Sequence, residues 1–141
     1  MIDTLFHLHL AATGVMTGVI WFVQLIHYPW FHRVPADQFT AYHRAYTEKV
    51  GYIVGPAMLV ELATGMAWLY LLGDGRTSAD WISMVMLAGI WLSTIGLQIP
   101  CHQRLAAGYQ PDVHRRLVRT NWIRTALWSA RLGLLVAPGL I

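Results

Sequence analysis

The sequence predicts an all-α integral membrane protein, with four transmembrane helices in an up-down-up-down bundle forming a single domain. Three observations predict it. The 141 residues are 56% hydrophobic with a mean hydropathy of +0.46, too apolar for a soluble domain of this size. Four stretches, about 5–31, 50–72, 81–100 and 119–141, supply the roughly 20 apolar residues that cross about 30 Å of hydrocarbon. The basic residues fall on alternate connections between those stretches.

Helix 1 covers about 5–31. It lacks a basic leader and a small-residue cleavage site, so it reads as a retained helix rather than a signal peptide. Helix 2 covers 35–72 and starts before its apolar stretch, because Pro35 suits a first turn and Phe39, Tyr42, Tyr46, Val50 and Ile53 continue an apolar stripe. Gly73-Asp74-Gly75 marks the short turn into helix 3, about 81–107. Helix 4 covers 111–139, with Pro111 and Asp112 at its start.

Charge sets the expected topology. Arg33, Arg44, Lys49, Arg104, Arg115, Arg116 and Arg119 lie in the connections after helices 1 and 3. The other side carries only Arg76, with Asp3, Asp74 and Asp80. The positive-inside rule places the basic connections in the cytoplasm and both termini outside, in a cell (inner) membrane. The net charge of +3 thus reports topology and anionic headgroups, not a nucleic-acid partner. Cys101, the one cysteine, excludes an intrachain disulfide and a Cys-x-x-Cys site.

An offset of 71 positions superimposes Pro29, Arg33, His43 and Arg44 on Pro100, Arg104, His114 and Arg115. Two parallel αα-hairpin repeats would give this pattern, and so would chance matches among basic loops. Pro29 and Pro100 either stop their helices or kink them. Gly14/Gly18 and Gly51/Gly55 form GxxxG motifs, expected to serve packing within the chain. Trp30, Trp68, Trp81 and Trp122 fit an aromatic belt near the helix ends.

Buried charge marks the first candidate site. Glu61 and Arg131 lie at matching depth in helices 2 and 4, and each needs a partner in hydrocarbon. Asn121, Arg124, Trp128 and Arg131 recur at three- and four-residue steps and so share one face, which must look inward. The pair either fixes helix register or takes part in chemistry, as a proton relay or an anchor for a polar head. Glu61, Arg131, Arg124 and Asn121 are the candidate catalytic residues.

Histidine marks the second. His27, His43, His102 and His114 fall near a common height, one per helix, and imidazoles converging from facing helices can hold haem or a transition metal. Gln24 and Gln98 share helical faces with His27 and His102 and are expected to support them. Against this stands the interfacial alternative, in which the four histidines snorkel or cap turns. No HExxH, Glu-x-x-His or Cys-x-x-Cys-His motif is present. His7 and His9 lie near the outer surface on different faces.

Phe6-His7 opening helix 1, Trp21-Phe22 within it and the aromatic-basic exit from Tyr28 to Val34 resemble small bacterial membrane proteins of the HemJ-type protoporphyrinogen oxidase class. The resemblance covers about the first quarter of the chain. That family carries an Arg late in helix 1, where this chain has Gln24, His27 and Pro29, so substrate identity does not carry over. The resemblance implies a haem-linked oxidoreductase.

Two functions are expected. One is a haem- or metal-binding membrane oxidoreductase acting on a lipid-soluble substrate such as a quinone, isoprenoid or tetrapyrrole, with a His-lined site near the cytoplasmic interface. The other is a non-catalytic subunit or assembly factor, as a homo-oligomer or within a larger membrane complex. A transporter is disfavoured, because only one intramembrane acid is available to couple protons.

Overall fold

The computed structural model describes residues 2–137. The end of the expected fourth helix, 138–139, lies outside them. The described residues are almost entirely helical: α1 (Ile2–Phe22), α2 (Ala36–Leu72), α3 (Ser78–Ser93), α4 (Ile99–Leu105) and α5 (Pro111–Leu135). α1 continues through a π-helical turn, Val23–His27, into a 3₁₀ segment, Tyr28–Arg33, and α3 continues through a π-helical turn, Thr94–Gln98, into α4. Three of these helical runs, Ile2–Arg33, Ala36–Gly75 and Ser78–Leu105, are long and apolar enough to cross a membrane.

The two π turns have one cause. Pro29 and Pro100 carry no N–H, and their rings crowd the carbonyl four residues earlier. The chain relieves this by opening one turn, so that the Tyr28 N–H bonds Val23 O and the Ile99 N–H bonds Thr94 O, five residues back. Proline thus neither stops these helices nor simply kinks them. Both turns also lie 71 positions apart, the offset of the sequence echo. α3 begins on a capping box, in which the Thr77 hydroxyl accepts from the Asp80 N–H and the Asp80 carboxylate accepts from the Thr77 N–H.

α1 packs on α2 and α5, and α5 packs on α3, whereas α2 barely meets α3 and α4. Three apolar clusters form the interior. Phe31, Phe39, Leu105 and Leu117 lie at the basic end; Met16, Ile20, Met58, Ile90 and Trp128 lie mid-way; Phe6, Trp68 and Leu135 lie at the far end. Polar layers separate the clusters. Along α1 and its π turn these are His9 and Thr13, then Gln24; along α5 the order reverses, Asn121 and Arg124 before Arg131.

The GxxxG glycines do not mediate contacts within the chain. A Cβ at Gly14, Gly18, Gly51 or Gly55 would meet nothing within 4 Å. The close approach falls instead at Gly65, against His9. Trp30, Trp81 and Trp122 are exposed, but Trp68 is buried against Phe6 and is no belt residue.

Candidate functional site

The first polar layer is closed and complete. Arg131 and Glu61 form an ion pair with both side chains fully buried. The Glu61 carboxylate also accepts from the Thr13 hydroxyl at 2.8 Å and the Trp128 indole at 3.0 Å. Arg131 Nε donates to Ser83 O at 3.0 Å, and Nη2 donates to His9 Nε2 at 2.8 Å. Because that ring nitrogen accepts, His9 is neutral and its Nδ1–H donates to Glu61 O at 3.1 Å. His9, 1% exposed, therefore belongs to the core and not to the outer surface.

The second layer is incomplete. Arg124 is 5% exposed, yet the ion pairs among the described residues are Arg131–Glu61 and Arg115–Asp112 alone. Its partners are neutral: Asn121 Oδ1 at 3.0 Å from Nε, Thr94 Oγ1 at 3.4 Å and the Tyr28 hydroxyl at 3.5 Å. The guanidinium also lies over the Trp128 ring, 5.9 Å from its centroid. A buried cation without a counter-charge is costly. Here it borders a cavity.

That cavity, of about 290 Å³, opens between α1, α2 and the α3–α4 run. Met16, Val19, Ile20, Val50 and Val54 give it apolar walls, and Tyr28, His102, Gln98, Thr94 and Arg124 give it a polar end. Weak packing of α2 against α3 and α4 leaves room for it.

The four histidines do not meet at one point. His43 Nε2 and His102 Nδ1 lie 3.1 Å apart, and His102 Nε2 lies 2.8 Å from the Tyr28 hydroxyl. His27 turns away and stacks on Tyr46 at 3.8 Å between centroids. His114 donates from Nε2 to Tyr28 O at 2.7 Å, and its Nδ1 lies 3.0 Å from the Tyr109 hydroxyl. Burial pulls His114 below its ordinary pKa; the Tyr28 carbonyl works against that shift and the nearby His32 adds to it. Among the described residues no three His, Cys, Asp or Glu side chains gather as a metal-ligand group.

The glutamines also part from their expected partners. Gln24 accepts from Asn121 at 2.8 Å, and Gln98 accepts from Ser93 at 3.0 Å and donates to Thr120 at 3.2 Å. Gln24 therefore ties the turn after α1 to α5, and Gln98 ties the α3–α4 run to α5, rather than supporting His27 and His102. Residue spacing alone pointed elsewhere because both glutamines lie in π turns. An extra residue in a turn rotates the downstream side chains by about 100° and breaks the three- and four-residue rule.

Sequence reasoning missed Tyr28 and Tyr46. Tyr28 is 4% exposed and joins Arg124, His102 and His114 through its hydroxyl and carbonyl. Its signal was its place beside Pro29, where the helix is forced open. No family model, curated protein or solved structure matches the chain.

Proposed function

We propose that this protein is a membrane oxidoreductase that takes a lipid-soluble, oxygen-headed molecule, a quinone in the first instance, into the cavity between α1, α2 and the α3–α4 run. α5 is the fourth crossing in this reading, in an up-down-up-down bundle with the basic end in the cytoplasm and both termini outside. The observation that carries the proposal is Arg124, a buried guanidinium with neutral partners that borders an apolar-walled cavity. An acceptor oxygen placed there receives bonds from the guanidinium and from the Tyr28 hydroxyl. Negative charge developing on that oxygen during reduction is stabilised by the unpaired cation in a low-dielectric site. The apolar walls suit a hydrocarbon tail or ring.

A quinone suits this site better than haem. A quinone needs donors and a positive field, which Arg124 and Tyr28 supply. Haem or a metal needs converging ligands, and His27 and His114 face other partners. A tetrapyrrole or isoprenoid substrate would use the same polar end. Glu61 and Arg131 hold the helices in register beneath the site, and Asn121 orients Arg124.

The test is saturable binding of a short-tail benzoquinone to the protein in lipid nanodiscs, followed by tryptophan quenching. Gly51 lines the cavity, and a side chain there meets nothing within 4 Å of its Cβ. Gly51→Phe is therefore expected to abolish binding while preserving the fold. Equal binding by the variant, or quenching no greater than simple partition, would rule the cavity out. A second reading, a subunit of a larger membrane complex, is favoured by the outward-open Gly14 and Gly18. A large partner co-purifying in mild detergent, lost in Gly18→Leu, would support it.

A further inference from the structure

We infer that His43, His102 and Tyr28 form a proton relay that supplies the oxygen of a molecule bound beside Arg124. The inference rests on the cavity reading above and adds the route of the proton.

Three observations carry it. The groups form an unbroken chain, from His43 Nε2 to His102 Nδ1 at 3.1 Å and from His102 Nε2 to the Tyr28 hydroxyl at 2.8 Å. The chain starts at the basic end of α2 and finishes at the cavity, because Tyr28 and His102 line it and His43 does not. Its outer atom, His43 Nδ1, is buried without a hydrogen-bond partner. Buried ring nitrogens are normally paired, so an orphan at the head of a chain is placed to take up a proton from an arriving water.

The bond directions are consistent with transfer. Arg124 can only donate to the Tyr28 oxygen, and His102 Nε2–H donates to the same oxygen when His102 Nδ1 accepts from His43 Nε2–H. The Tyr28 proton is then free to face the cavity. A one-electron donor reduces the bound quinone to its radical anion, and a new O–H bond forms as Tyr28 gives up its proton. The His102 Nε2 proton passes to the Tyr28 oxygen, the His43 Nε2 proton passes to His102 Nδ1, and His43 Nδ1 takes one proton from water. One electron and one proton enter, and both imidazoles finish neutral in the opposite tautomer. Histidine and tyrosine are suited to such transfer because each accepts and donates at separate positions or in turn.

The experiment uses the protein in nanodiscs loaded with a short-tail benzoquinone and mixed rapidly with reduced methyl viologen, an electron donor that carries no proton. A pH-indicator dye follows proton uptake, and quinone absorbance follows reduction. His43→Gln keeps an N–H for His102 but cannot pass a proton. It is expected to bind quinone as the native protein does and to take up protons about tenfold or more slowly. His43→Ala is expected to be equally slow and to be restored by added imidazole, which a merely structural role would not produce. Native uptake rates in His43→Gln with quinone bound would overturn the relay alone. Absence of saturable quinone binding in the native protein would overturn the cavity reading, and the relay with it.

Discussion

A methyl group at position 65 would lie 2.7 Å from Cε1 of His9, so the α1–α2 contact at the buried ion pair depends on a bare glycine facing an imidazole. The ring cannot retreat, because Arg131 holds one nitrogen and the Glu61 carbonyl the other. Helix propensity alone favours Gly65→Ala by about 1 kcal/mol. The overlap decides the sign, and the variant is expected to lose about 1–3 kcal/mol. Thermal unfolding in detergent checks it; an unchanged or raised Tm would mean that His9 can move.

Glu61→Gln should be far more damaging than its volume implies. It leaves the fully buried Arg131 without its counter-charge, an effect of about 3–5 kcal/mol. Replacing both partners, Glu61→Met with Arg131→Met, is expected to recover much of the loss, since no uncompensated charge remains. Unfolding by added SDS measures both. A double variant as unstable as Glu61→Gln would show that the pair does more than balance charge.

Acid should weaken the basic end through His114. Its folded pKa lies below the ordinary 6.5, chiefly through burial, so the unfolded chain binds more protons in the interval between the two values. The stability this group contributes is therefore present above about pH 6.5 and is lost as pH falls toward the folded value. His114→Gln, which retains a donor for the Tyr28 carbonyl, is expected to show a smaller fall in Tm between about pH 7 and about pH 5. An identical pH profile would place the acid sensitivity elsewhere.

Arg124→Gln tests the uncompensated charge. It removes a buried cation that has no acidic partner, so the apoprotein should be as stable as the native protein or more so. Quinone affinity should fall by about tenfold or more, as expected for losing one charge-assisted bond worth about 1.5–3 kcal/mol. Isothermal denaturation and a binding isotherm on the same preparation separate the two effects. Strong destabilisation with unaltered affinity would recast Arg124 as structural.

The features legible in the sequence came from constraints that act residue by residue. Glu61 and Arg131 could be paired in advance because an intramembrane charge needs a partner and there was one acid at that depth. The shared face of Asn121, Arg124, Trp128 and Arg131 came from α-helical spacing, and all four are buried. His9 was misplaced because its partners, Arg131 and the Glu61 carbonyl, are 122 and 52 positions away, and nothing local announces them. The partners of Gln24 and Gln98 were not legible because both lie in the π turns ahead of Pro29 and Pro100, where the three- and four-residue rule breaks. The cavity was invisible because it arises from how α2 stands off α3 and α4.

Photo-crosslinking with an azido-benzoquinone carrying a short tail, in nanodiscs, followed by peptide mapping, reads where the quinone sits. Adducts are expected within Val50–Val54 and Ile99–Gln103, which face each other across the cavity, and they should disappear in competition with unlabelled quinone and in Gly51→Phe. Labelling spread over the outward-facing Leu59, Val85 and Leu92, with no competition, would mean that quinone does not occupy the cavity.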